Sequence, residues 1–226
     1  MRSAPASRSH DATLPLRFVG GDAALDLVNT GDWTSRGVEN DRLDGYDRLL
    51  EWAEGAGVIG AAERARLRGG AARQPRRAAS AYAEGRWTRL VLQRLFAAIA
   101  AGTRATPELR DFNALLERAV RHLAAEPRAR DRRRGPSPAV GAALRLGWRG
   151  AAEELESPLW PVVWSAAVLL SSEDAARIRV CARPDCGWMY VDRSRNGLRR
   201  WCEMETCGTS EKTRRRRLRR LSGRAR

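Results

Sequence analysis

The chain has 226 residues, 43% of them apolar, enough for one buried core and a small appendage. Its 42 basic and 27 acidic residues leave a formal charge of +15. The polar N-terminus (Met1 to Thr13) has no secretory h-region, and the longest apolar-rich stretch, Trp160 to Leu170, is too short to span a bilayer. The expectation is therefore a cytoplasmic, globular protein without membrane contact.

Residues 1–14 read as a disordered tail, 15–175 as a mainly helical domain with small β elements, and 176–226 as a separate C-terminal unit. Leu16-Arg17-Phe18-Val19 alternates like a short strand and stops at Gly20-Gly21. Residues 23–30 carry Ala24, Leu25, Leu27 and Val28, one or two helical turns, and 32–44 are polar and turn-rich. Asp44 or Asp47 is placed to cap a helix holding Leu49, Leu50 and Trp52 that ends near Gly55 and Gly57.

Three helical segments follow. The first covers 61–69. The second covers about 76–101, with Tyr82, Trp87, Leu90, Val91, Leu95 and Ile99 near a helical period. The third starts at Thr106-Pro107, proline being suited to the first helical position, and carries Leu109, Phe112, Leu115, Leu116 and Val120. Glu126 to Pro138 is charged and proline-bearing, a linker or surface loop, and 142–148 reads as a strand or hairpin arm. Ser157-Pro158 then opens an apolar helix with Trp160, Trp164, Val168 and Leu169, which ends at Ser171-Ser172.

This helical part shows little chemistry. The two histidines are His10, in the tail, and His122, at a helix end where a surface role is expected. No phosphate-binding glycine loop, nucleophile elbow or His-Glu-x-x-His pattern occurs, so no catalytic residue is assigned and an enzyme is not expected. Asp26, Asn29 and Asp32, three apart, read as caps or the polar face of a short helix. Trp160 and Trp164 share a helix face and read as core, with a ligand pocket as the other reading.

The C-terminal unit is different. All four cysteines, Cys181, Cys186, Cys202 and Cys207, lie in a C-x4-C-x15-C-x4-C pattern. In a reducing setting two close thiol pairs favour a tetrathiolate metal site over disulfides. Zn²⁺ is the expected ion and the site is structural, since four protein ligands leave no open position. An iron–sulfur cluster or four unligated buried thiols are the alternatives. Glycine follows each pair, at Gly187 and Gly208, and permits the positive φ of a metal knuckle. Trp188 to Val191 and Leu198 to Trp201 read as a hairpin turning at Asn196-Gly197. Thr209 or Ser210 then caps a final helix, with Glu211 in its first turn. Knuckle, hairpin, knuckle and helix make a treble-clef order. Removing the metal is expected to unfold this element, which has little apolar area of its own. Four thiolates and Zn²⁺ sum to a negative charge, so some of the nearby arginines are expected to offset it.

The charge is concentrated here. Residues 193–226 hold 13 basic and three acidic side chains, +10 of the total +15. The candidates for nucleic-acid contact are Arg193, Arg195, Arg199, Arg200, Lys212, Arg214, Arg215, Arg216, Arg217, Arg219 and Arg220. Guanidinium pairs bidentately with phosphate, so a helix so charged suits a nucleic-acid backbone. Leu218 and Leu221 are expected to anchor it. Trp188, Tyr190 and Trp201 form the unit's small core or, alternatively, stack on bases.

These residues resemble the CGNR zinc finger family. The resemblance runs through Cys181-Ala182-Arg183-Pro184-Asp185-Cys186-Gly187-Trp188, Asp192-Arg193-Ser194-Arg195-Asn196, Arg200-Trp201-Cys202, Cys207-Gly208 and Lys212-Thr213-Arg214. Near the N-terminus, Gly20-Gly21 and Ala24-Leu25-Asp26-Leu27-Val28-Asn29-Thr30 resemble the ABATE domain that precedes the finger in that family. The resemblance implies a stress-induced, zinc-binding transcription regulator that contacts DNA. One departure stands out: the naming motif Cys-Gly-Asn-Arg reads Cys207-Gly208-Thr209-Ser210 here, so the partner of the lost arginine, a phosphate or an acid such as Asp192, must be served otherwise. The alternative to a DNA-binding regulator is a zinc-braced scaffold whose arginines meet RNA or an acidic protein. A regulator would also need a sensor pocket for a small-molecule effector, which the sequence does not locate.

Overall fold

The computed structural model describes residues 14–35, 37–127 and 144–224, without the side chains of Pro127, Leu218, Arg219 and 221–224. The expected tail, apart from Leu14, and the expected loop beyond Pro127 lie outside the described residues, as do the side chains of the expected anchors Leu218 and Leu221.

The fold is built around one long helix. Elements α1 (Ala23–Val28), β1 (Gly31–Thr34), β2 (Gly37–Asp41), α2 (Tyr46–Gly55) and α3 (Ala61–Arg73) lead into α4 (Pro75–Ala100). At 26 residues α4 is roughly 39 Å long. α5 (Thr106–Val120), the antiparallel pair β3 (Leu123–Pro127) and β4 (Leu144–Trp148), and α6 (Leu159–Leu170) return along it. A 3-10 turn (Glu173–Arg177) then leads to the antiparallel pair β5 (Ile178–Val180) and β6 (Met189–Val191). The chain ends in a π-helical turn (Met204–Gly208) continuous with α7 (Thr209–Arg224). The fold is mainly helical with small antiparallel strand pairs, as expected.

The apolar face of α4 explains its place at the centre. Val91, Leu92, Leu95 and Phe96 are buried against Leu25 and Leu27 of α1, Leu49, Leu50 and Trp52 of α2, and Val162 and Ala166 of α6. Trp87 lies off that face and is 42% exposed, although its spacing grouped it with the core. The same core takes in Ile178, Met189 and Val191, so the β5–β6 hairpin packs on the helical body.

Several local expectations change. Residues 16–19 are not a strand: among the described residues they join no strand ladder, and β6 meets the segment only where Val191 N–H donates to the carbonyl of Gly20 at 2.9 Å. Instead Arg17 pairs with Glu203 at 2.5 Å and the carbonyl of Val19 accepts from Arg199 Nη2 at 3.2 Å. The polar stretch 32–44 contains the β1–β2 hairpin, whose register shifts between Gly31 and Trp33. Neither Asp44 nor Asp47 caps α2; Gly45 holds the N-cap position with no side-chain cap, and Asp47 sits in the first turn. Helix α3 runs on past Gly69 to Arg73, and Leu155 packs close over Gly70. Glu126 and Pro127 belong to β3 rather than to a loop.

Candidate metal centre

The first cysteine pair sits at the tip of the β5–β6 hairpin. Cys181 follows β5, Cys186 precedes β6, and Cys181 N–H donates to the carbonyl of Trp188 at 2.8 Å. Backbone N–H groups of Arg183 and Trp188 point at the sulfurs of Cys181 and Cys186. The hairpin is thus closed by pairing with Ile178–Val180, not with 198–201 as the spacing suggested. Residues 198–200 are irregular. They lie against the first knuckle through Ala182 N–H to the carbonyl of Arg200 (2.8 Å) and Tyr190 Oη to that of Arg199 (2.6 Å). Buried Asp192 shapes the intervening loop by accepting from Ser194 N–H and Oγ and from Arg199 N–H. Hydrogen bonds from Ser194 hold its carboxyl below the usual range. Asp192 is therefore fully served without the arginine missing from the Cys-Gly-Thr-Ser variant.

The second pair brackets the start of the C-terminal helix. Cys202 precedes the π-helical turn and Cys207 lies within it. Thr209 is not a cap. The helical run begins five residues earlier, and Thr209 Oγ1 donates back to the carbonyl of Met204 at 3.1 Å. The two glycines act differently. Gly187 has φ +65°, and a Cβ there would also collide with the backbone carbonyl of Trp33. Gly208 is helical and lacks positive φ; a Cβ there would press on Met204 Sδ and Trp201, so the exposed Met204 side chain would have to move.

The four sulfurs converge. All are buried, and the ligand atoms lie within 4.8 Å of one another. The Cys186–Cys202, Cys202–Cys207 and Cys207–Cys186 separations are 3.7, 3.4 and 3.7 Å. A tetrahedron of sulfurs at about 2.3 Å from a central Zn²⁺ has edges of about 3.8 Å. The cluster therefore fits a metal ion of that size, and all four cysteines are free of disulfides. The acid chemistry agrees. Hydrogen bonds from Cys186 and Cys202 push the Cys181 thiol down, while the same contacts with Cys181 push Cys186 and Cys202 up. Four thiols so close cannot all ionise without a cation among them.

Arg183 is the counter-charge that the sequence reading missed. Its burial lowers its pKa, but the attraction of Cys207, Cys186 and Cys181 outweighs this and raises it. Arg199 is likewise turned inward. It donates to the carbonyls of Trp201 (3.0 Å), Val19 and Cys202, and lies 4.1 Å over the Tyr190 ring. Trp188 and Tyr190 are buried in the small core around the cysteines, with Trp201 packed at its edge. Trp188 and Tyr190 are therefore not free to stack on bases.

Residues read as caps of a short helix turn out to join the two parts of the molecule. Asn29 pairs with both backbone groups of Met189: its Nδ2 donates to the carbonyl and its Oδ1 accepts from the N–H, each at 2.8 Å. Asp32 accepts from Trp188 Nε1 at 2.9 Å and from Arg42 at 3.0 Å, and Arg42 lies 4.8 Å over the Trp188 ring. Asp26 accepts from Gly20 N–H at 2.8 Å, and burial pushes its carboxyl up to about 6. Polar-face spacing was the only signal, and it does not distinguish a solvated carboxamide from one paired across 160 residues.

The remaining cations divide by partner. Arg193 bonds Asp174 and the carbonyl of Gly21, both at 2.9 Å. Arg214 and Arg215 share Glu211 at 2.7 and 3.0 Å and hold its carboxyl down to about 2. Among the described residues, Arg195, Lys212, Arg216, Arg217 and Arg220 are exposed and have no acidic partner. Arg200 is exposed over the Trp201 ring at 5.4 Å. The side chain of Arg219 lies outside the described residues.

Comparison with protein families agrees with this architecture. Residues 21–173 match the ABATE model, described as "Putative stress-induced transcription regulator". Residues 177–220 match the model described as "CGNR zinc finger". No curated protein matches the chain. Neither family description is of an enzyme, and no described helix is long and apolar enough to cross a membrane.

Proposed function

The chain belongs to the ABATE family, with a C-terminal CGNR zinc finger, and from that premise we propose that it is a transcription regulator that binds DNA through α7. In this reading Cys181, Cys186, Cys202 and Cys207 hold a structural Zn²⁺, which supplies one rigid link between the first knuckle and the root of α7. Arg183 offsets the net negative charge of the thiolates, and Asp192 fixes the loop between the cysteine pairs.

The observation that carries the proposal is the outward set of unpaired cations: Arg195, Lys212, Arg216, Arg217 and Arg220, with Arg200 beside them. They stand on or next to a helix that starts at the cysteine cluster, and in this reading the metal bound there sets its direction. Arg214 and Arg215 reach phosphate by exchanging their bonds with Glu211. Arg193 and Arg199 serve the fold. Phosphate contacts dominate such an interface, and sequence preference requires some of these side chains to reach base edges in the major groove. The domain limits follow the same division: a helical regulator body to about residue 175 and a DNA-facing unit from 176.

The test is a salt titration of duplex DNA binding, with metal content measured by mass spectrometry, on wild type and Cys202→Ser. One zinc per chain and duplex affinity that falls steeply with salt are expected, both lost in the variant. Absence of duplex binding at low salt with zinc present overturns the DNA reading and leaves RNA or an acidic protein as the partner.

A further inference from the structure

A cleft of about 440 Å³ opens between α4, the C-terminal end of α5 and the start of α6, far in sequence from the cysteines. It is in the size range of small-molecule sites. Its inner wall is apolar and close-packed: Ala81, Leu115, Ala119, Leu159 and Val163 are all buried. Small residues on α4 and α5, Ala81 and Ala119, leave the space that larger side chains would fill. On one side His122 stacks on Trp160, ring centroids 3.6 Å apart and planes within 8°. His122, half-buried, thus forms part of the cleft wall at the surface. Trp148 from β4 backs the pair at 6.4 Å.

Two further observations point to a ligand. The first is Thr88, which lines the cleft, is 0% exposed, and whose hydroxyl has no hydrogen-bond partner. A buried hydroxyl left unpaired is costly and rare. The second is the charge at the mouth. Arg77, Arg118 and Arg121 face Glu84 and Glu156 there. The three guanidiniums are exposed: Arg77 bonds Glu154 and Gln74, Arg118 pairs with Glu84, and Arg121 pairs with Glu117. Such pairs are weak and exchange readily for an incoming carboxylate.

We infer that this cleft is a binding site for a small aromatic carboxylate, its ring against the His122–Trp160 stack and its acid group at Arg118 and Arg121. Flat apolar walls select the ring, and a fork of guanidiniums at one end fixes its orientation. The site is separate from the DNA-facing helix, so its test stands whether or not the DNA reading does.

The probe is 1-naphthoate, titrated calorimetrically into the full-length zinc-loaded protein, with 1-naphthalenemethanol as the neutral isostere. One naphthoate per chain is expected, bound about tenfold more tightly than the alcohol. Ala119→Phe, which fills the cleft, abolishes binding of both. The double variant Arg118→Gln/Arg121→Gln weakens naphthoate about tenfold and leaves the alcohol unchanged. Arg216→Gln/Arg217→Gln changes neither, which separates the cleft from anion binding at α7. If Ala119→Phe fails to fold by circular dichroism, the exposed Arg118/Arg121 pair decides alone. Absence of naphthoate binding, or binding equal to the alcohol and indifferent to that pair, overturns the assignment.

Discussion

The helical body and the sulfur-bound tip are held by different forces. Around α4, burial of Leu92, Leu95, Phe96, Trp52 and their neighbours supplies the cohesion. The tip has a cluster of four cysteines, Trp188 and Tyr190, edged by Val19 and Trp201, too small to fold on hydrophobic burial alone. Yet the two are not independent. Ile178, Met189 and Val191 of the cysteine-bearing hairpin are buried in the helical core, and Asn29 pairs with Met189 as a neighbouring strand would. A metal can thus be local in its chemistry and still rest on a scaffold built elsewhere.

The sharpest way to break this comparison is to remove the metal. With chelator, or in Cys202→Ser, amides of 192–208 and α7 should lose all hydrogen-exchange protection. Those of β5, β6 and Val91 to Phe96 should keep theirs, because apolar burial holds them. Structural zinc contributes on the order of 10 kcal/mol in small fingers. Global unfolding would instead make the two regions one cooperative unit.

Charge removal on α7 should act on the tip alone. Arg216→Gln/Arg217→Gln/Arg220→Gln should lower the slope of log K against log salt by about 2.7, at about 0.9 per phosphate contact, with the melting temperature unchanged. An unaltered slope would place the DNA contacts elsewhere.

Cutting the joint should matter less than losing the metal. Asn29→Ala leaves the N–H and carbonyl of Met189 buried without partners. A loss of about 2–4 kcal/mol, read as a lower urea midpoint, is expected, with zinc content retained. An unchanged midpoint would mean that the hairpin is held by its apolar side chains alone.

The smallest effect concerns Asp26, whose burial pushes its folded pKa to about 6 from 3.8. The sign is that of a raised acid: the unfolded chain releases its proton first as pH rises, so folding stability from this group falls between about pH 4 and 6 and stays lower above. Asp26→Asn keeps an oxygen for Gly20 N–H and should be more stable than wild type at pH 7.5, by at most about 3 kcal/mol. The difference should shrink as pH falls towards 4, measured by paired thermal melts. A variant less stable at pH 7.5 would show that the ionised carboxylate is needed.

The limits of α4, α5 and α6 were legible because apolar period, Pro107 and Pro158 are local signals. The four-cysteine site was legible because ligand number and spacing constrain a metal before any fold is known. The β1–β2 hairpin was not, since its polar strand residues are held by a distant partner: Arg89 of α4 grips both oxygens of Asp41 at 2.6 Å. The strand pairing at the knuckle was misread for a similar reason. Alternation marks residues able to form a strand and not which strand they will join.

By itself the sequence determined which atoms would gather at the metal and where the positive charge would accumulate, because thiol spacing and a run of arginines are properties of the chain. Only the tertiary structure decided which arginines stay free, that Asn29 and Asp32 brace the knuckle, and that a cleft opens beside Trp160. Each of these depends on groups brought together from distant positions, and hydrogen bonds and cavities exist only once those groups share a place.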